Sequence, residues 1–126
     1  MSSTQKTVMI IEDEPDVSEL FAEMMRVSGF RVLKSYTGTP AMGLIAQERP
    51  DAIILDIMMP DVSGLEVLRY MRRRPELAKI PVIIVSALST PSDIRTGLDA
   101  GASVYLTKPV GYVDLKNAVD RLILGT

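Results

Sequence analysis

Short aliphatic runs alternate with segments of helical spacing along the chain. The runs are Val8-Met9-Ile10-Ile11, Val32-Leu33, Ala52-Ile53-Ile54-Leu55, Val82-Ile83-Ile84-Val85 and Val104-Tyr105-Leu106. Their β-branched character and short length predict strands. Between the first two, Val17, Leu20, Phe21, Met24 and Met25 fall at i, i+3, i+4, i+7 and i+8, which places them on one helix face. Ala41, Leu44 and Ile45 repeat the pattern, as do Leu65, Leu68 and Met71, then Ile94 and Leu98, then Leu115, Ala118, Val119 and Leu122.

The punctuation fits this division. Pro15 suits the first turn of a helix, where its missing N–H is harmless. Ser63 with Glu66 predicts a capping box, and Thr90-Pro91 an N-cap followed by proline. Gly29 and Gly101 sit where glycine ends a helix. The result is a β-α unit repeated five times, so the expected fold is α/β: a flavodoxin-like (βα)5 three-layer sandwich around a parallel sheet in the order 2-1-3-4-5. The first, third and fourth strands are apolar throughout, as strands covered on both faces are. Arg31 to Ser35 alternates more and predicts an edge strand. The domain is expected over residues 7–124, with 1–6 and 125–126 as flexible ends.

Composition narrows the chemistry. The 126 residues suit one domain, and a formal net charge of −2 argues against a general affinity for nucleic acid. Arg69, Arg72, Arg73 and Arg74 read as favourable charges near a helix C-terminus rather than as a nucleic-acid patch. With no Cys and no His, thiolate catalysis, His-based triads and soft-ligand metal sites are excluded. A metal here must be held by oxygen, which points to Mg²⁺, Mn²⁺ or Ca²⁺. The start, Met1 to Lys6, lacks a signal-peptide apolar core, and no apolar run approaches the roughly 20 residues of a membrane span. A cytoplasmic protein without membrane contact is expected.

The polar residues at the strand exits then stand out. Glu12 and Asp13 follow the first strand, Asp56 follows the third, Ser86 ends the fourth, and Thr107-Lys108-Pro109 ends the fifth. Open α/β sheets bind ligands beyond the carboxyl ends of their strands, where the strand order reverses. The order 2-1-3-4-5 puts the first and third strands together at that point, so the three carboxylates meet. A divalent cation is the natural remedy for their repulsion, and Lys108 adds a second positive charge.

In this order and spacing the residues resemble the receiver domains of two-component response regulators, from about Val8 to Ile123. The signals are Glu12-Asp13, Asp56 before Met58-Met59-Pro60 and Gly64, Ser86-Ala87, and Thr107-Lys108-Pro109 after Ala100-Gly101-Ala102. The resemblance implies that Asp56 is the phosphoacceptor and that Asp13 is a direct Mg²⁺ ligand. Glu12 would act directly or through water, and the Met58 backbone carbonyl would be a further ligand. Ser86 and Lys108 would bind phosphoryl oxygens, Pro109 would follow a cis peptide, and Tyr105 would be a switch aromatic moving with Ser86. The donor would be a phosphohistidine on a sensor histidine kinase or a histidine phosphotransfer protein. The fourth helix, fifth strand and fifth helix would face a downstream partner or output domain. Homodimerisation is left open.

The chain departs from the family at two places. Glu12-Asp13 stands where Asp-Asp is commoner, and the apolar Met58 and Leu88 stand where the attacking water is expected to pass. Three other readings compete. A receiver fold that no longer takes phosphate would act as an interaction module. A small aspartyl-phosphate phosphatase would need a second Asp two residues after Asp56, where Met58 stands. A flavin-binding module would need a phosphate-cradling loop where Glu12-Asp13-Glu14 stands. An enzyme turning over a separate substrate is not expected.

Overall fold

The computed structural model describes residues 5–125. Its elements alternate throughout: β1 (Thr7–Ile11), α1 (Pro15–Val27), β2 (Arg31–Ser35), α2 (Gly38–Glu48), β3 (Ala52–Leu55), α3 (Gly64–Arg72), β4 (Val82–Ser86), α4 (Pro91–Asp99), β5 (Val104–Thr107) and α5 (Tyr112–Leu124). The five strands are parallel in the order β2-β1-β3-β4-β5, with β2 at one edge as expected. Of the ends expected to be flexible, residues 1–4 and 126 lie outside the described residues. Lys6 is tied down, its carbonyl accepting Arg31 N–H at 2.9 Å.

The alternation of side chains along each strand divides the core into two layers. Met9, Ile11, Ile53, Leu55, Val82 and Ile84 pack with Ala41 and Ile45 of α2 and Val67, Leu68 and Met71 of α3. Val8, Ile10, Ile54, Ile83 and Val85 pack on the opposite face with Phe21, Ala22 and Met25 of α1 and Leu115 and Val119 of α5. A fully buried aliphatic side chain contributes about 1.5–3 kcal/mol, so the three central strands anchor the domain. The ladder holds β1 and β3 side by side, with Ile11 opposite Leu55. The residues that follow both strands therefore leave the sheet at the same level.

Three expectations of the periodicity need correction. Leu20 is 54% exposed, because the buried stripe of α1 runs through Ser18, Phe21, Ala22 and Met25. In α4, Ile94 is half-buried and Leu98 is exposed, and the buried residue is Gly97, which meets the Tyr105 ring. The helix lies close to β5 through a residue with no side chain, so its apolar positions are spared burial. The third concerns the start of α3. Ser63 Oγ accepts Leu65 N–H at 3.1 Å without a reciprocal Glu66 bond, since Glu66 lies in a shallow groove with Arg69 and Arg73. The full capping box forms instead at α4, between Thr90 and Asp93.

Candidate functional site

Beyond the carboxyl ends of β1, β3 and β5, four charged side chains meet. Glu12 follows β1 and is buried, Asp13 beside it is half-buried, and Asp56 follows β3 with 6% of its surface exposed. One carboxylate oxygen from each lies within 4.8 Å of the others. Lys108, just past β5, reaches across to them. Its Nζ donates to Glu12 Oε1 at 2.9 Å and to Asp56 Oδ2 at 3.3 Å. The second oxygens are also engaged: Glu12 Oε2 accepts Glu14 N–H at 3.2 Å, and Asp56 Oδ1 accepts Met58 N–H at 3.2 Å.

The electrostatics follow from burial and from this pairing. Burial raises the Glu12 carboxyl above its usual range, and the neighbouring Asp56 charge adds to it. Lys108 and the Glu14 N–H offset only part of the rise. For Lys108, burial favours the neutral amine, but the Glu12 and Asp56 carboxylates outweigh it and hold the ammonium above its usual value. Three carboxyl groups thus face a single ammonium, and two of them, on Glu12 and Asp56, are buried. All the donors are oxygen, which suits a hard divalent cation.

A small cleft opens over the cluster, lined by Asp13, Glu14, Asp56, Met58, Ala87 and Lys108. Met58 is 55% exposed at its rim. Leu88 is not among the lining residues. Its side chain packs against the core layer under α2 and α3, and Ala87 occupies the rim instead. Ser86 is fully buried at the end of β4, and its hydroxyl accepts Leu88 N–H at 3.1 Å. Tyr105 O–H donates to the Leu88 carbonyl at 2.6 Å, so the β4–α4 loop is held from both strand ends. The Lys108–Pro109 peptide is cis. The structure thus brings Glu12, Asp13, Asp56 and Lys108 together, and bonds both Ser86 of β4 and Tyr105 of β5 to Leu88 in the β4–α4 loop.

Sequence reasoning named Ala87 only beside Ser86, without a role, and did not single out the Glu14 N–H or Asp61. Asp61, in the β3–α3 loop, accepts Gly38 N–H at 2.9 Å and Thr39 N–H at 2.8 Å. These bonds hold its carboxyl well below the usual carboxylate range. A depressed native value means that the stabilisation is present above the ordinary value of 3.8 and lost as pH falls below it. Asp61→Asn is therefore expected to melt below wild type at neutral pH. The gap should begin to narrow as melts are taken below 3.8, and close only as the pH approaches the depressed native value.

Fold and cluster define a class: a doubly wound α/β domain with an oxygen-donor site and a lysine at its switch point. The chain belongs to the response regulator receiver domain family, whose pattern it matches over residues 8–120. It is 37% identical over 105 residues to the polar-differentiation response regulator DivK of Brucella anthropi, covering 83% of this chain and 85% of that one. The signal receiver domain of a signal transduction histidine kinase from Syntrophus aciditrophicus superposes with a TM-score of 0.88 at 33% identity, covering 96% of this chain and 92% of that one. The receiver domain of a Pseudomonas aeruginosa sensor histidine kinase, solved with a magnesium ion coordinated in its active site cleft, gives a TM-score of 0.89 at 28% identity, covering 98% of this chain and all of that one. Among the described residues, no helix is long and apolar enough to cross a membrane.

Proposed function

We propose that this receiver accepts a phosphoryl group onto Asp56 in a Mg²⁺-dependent reaction. The donor is a phosphohistidine on a sensor histidine kinase or a histidine phosphotransfer protein, in the cytoplasm. The observation that carries the reading is the placement of Asp56: buried, bonded to Lys108, and within one oxygen-donor cluster with Glu12 and Asp13, in a chain with no histidine of its own.

Asp13, Asp56 and the Met58 carbonyl are the candidate direct metal ligands. Glu12 would act directly or through water; both its oxygens already accept hydrogen bonds, as do both oxygens of Asp56. When bound, Mg²⁺ supplies positive charge opposite the transferring phosphoryl group, and Mn²⁺ would suit the same donors. The chain's own residues do the rest. An Asp56 carboxylate oxygen attacks phosphorus in line, the P–N bond breaks, and its electron pair and a proton end on the donor imidazole. Lys108 turns from Asp56 toward a phosphoryl oxygen, where its charge is worth more than in water. Ser86 gives up Leu88 N–H to donate to another oxygen, which frees the loop that Tyr105 also holds. Ser86, Tyr105 and α4 then form the two-state element that presents the α4–β5–α5 face to a partner or output domain. Hydrolysis of the acyl phosphate returns the carboxylate and inorganic phosphate.

Incubation with acetyl phosphate and Mg²⁺, read by intact mass, tests this. Wild type is expected to gain one phosphoryl group, and to gain none when Mg²⁺ is chelated or in Asp56→Asn. A wild type that stays unmodified under conditions where it binds Mg²⁺ favours a receiver fold that no longer takes phosphate.

A further inference from the structure

The loop from Asp56 to Ser63 is fastened at a point away from the acidic cluster. The fastening is Asp61, whose two carboxylate oxygens take the N–H groups of Gly38 and Thr39 at 2.9 and 2.8 Å. These are the first two residues of α2, whose own N-cap, Thr37, makes no side-chain capping bond. A carboxylate from a different loop thus does the capping, where the helix end favours negative charge. The same spot is packed as well as bonded. A Cβ on Gly38 would stand 2.3 Å from Val62 Cγ2 and 3.2 Å from Val67 Cγ2, so the helix approaches the loop as closely as glycine permits.

The near end of the loop is also fixed. Met58 N–H is bonded to Asp56 Oδ1 at 3.2 Å, and Gly64 N–H to the Ile57 carbonyl at 2.8 Å. Met58, Met59 and Pro60 are therefore strung between the Asp56 end and the Asp61 clamp.

We propose that Asp61 is a positioning residue for the metal site. By capping α2 from the loop, it restrains the Met58–Pro60 backbone and so presents the Met58 carbonyl in an ordered state. This rests on the reading of the cluster as a Mg²⁺ site. Groups outside a metal's ligand shell set affinity by orienting the ligands, and their loss costs about 10–100-fold. Asp61 acts through a single carbonyl, so the lower end of that range applies. A role limited to stabilising α2 would lower the melting temperature and leave metal affinity alone.

The experiment measures Mg²⁺ dissociation constants by calorimetry, with thermal melts of the metal-free proteins, for wild type, Asp61→Ala, Asp61→Asn and Asp51→Ala. Asp51 is the control: its carboxylate also accepts a backbone N–H, that of Thr7 at 2.8 Å, but it lies at the opposite end of the sheet. Asp61→Ala is expected to weaken Mg²⁺ binding about tenfold. Asp61→Asn, which keeps one acceptor oxygen, should fall between. Asp51→Ala should lose thermal stability with its Mg²⁺ affinity intact. Unchanged affinity in folded Asp61→Ala and Asp61→Asn overturns the proposal, whatever their melting temperatures. A wild type that binds no Mg²⁺ overturns the metal reading itself. The clamp is then judged by amide exchange at Met58 and Met59, where no acceleration in Asp61→Asn would overturn it too.

Discussion

Gly64→Ala is expected to destabilise the protein by about 3 kcal/mol, the upper end of the range for overpacking. That corresponds to a fall in melting temperature of roughly 10 °C for a domain of this size. The variant is also expected to lose Mg²⁺ binding and phosphorylation under conditions where it is still folded. The reason is local and steric. A Cβ at this position would stand 2.2 Å from the Asp56 carbonyl oxygen, 2.8 Å from Ile57 Cα and 2.9 Å from the Asp56 carbonyl carbon. All three are backbone atoms, which cannot swing aside as the end of a flexible side chain can. Either α3 backs away, losing the 2.8 Å bond from Gly64 N–H to the Ile57 carbonyl, or the strand end carrying Asp56 moves. The second displaces the acceptor from Lys108, and the first loosens the loop that follows Asp56. Thermal melts and Mg²⁺ titration of the same sample separate the two effects. A variant with wild-type affinity would show that the site does not depend on this contact.

The second large effect concerns the lifetime of the acyl phosphate. Met58 stands exposed at the rim of the cleft over Asp56; with Asp56 as the proposed phosphate carrier, a hydrolytic water would enter there. Its thioether can fill that space but cannot orient a water, whereas an amide can do so. Met58→Asn is expected to speed loss of label from the phosphoprotein about tenfold, equivalent to about 1.4 kcal/mol of barrier. Because Met58 is exposed, thermal stability should change little. Leu88, which the sequence also suggested as a barrier, is half-buried against the core layer, so Leu88→Asn should act mainly on stability. Label lost within seconds from wild type, and no faster from Met58→Asn, would remove Met58 from the account.

Much of the fold and of the acidic cluster is legible in the amino-acid sequence. Runs such as Ala52 to Leu55 and Val82 to Val85 are apolar at every position because both faces of the sheet are covered, and that pattern needs no tertiary information. Given the strand order, the meeting of Glu12, Asp13, Asp56 and Lys108 is a geometric consequence. What stays hidden depends on relative placement of elements that periodicity does not encode. Leu20 shares a helix face with Phe21 in the 3.6-residue repeat, yet the stripe that meets the sheet passes to one side of it. Leu98 is exposed because Gly97 carries the contact with Tyr105. Asp61 looks like an ordinary turn residue, since its partners are two backbone N–H groups more than 20 positions earlier. The choice of Ala87 over Leu88 as rim residue likewise depends on how the β4–α4 loop turns.

The central claim is that Asp56 alone carries the phosphate, with the neighbouring carboxylates serving the cation. Borohydride reduction of the phosphorylated protein followed by peptide mass mapping tests it most directly, because an acyl phosphate is reduced to the alcohol and marks its own position. The account predicts a single reduced residue, Asp56, with Glu12 and Asp13 untouched. Reduction at Glu12 or Asp13, or a phosphate on Ser86 or Thr107 that resists borohydride, would contradict it.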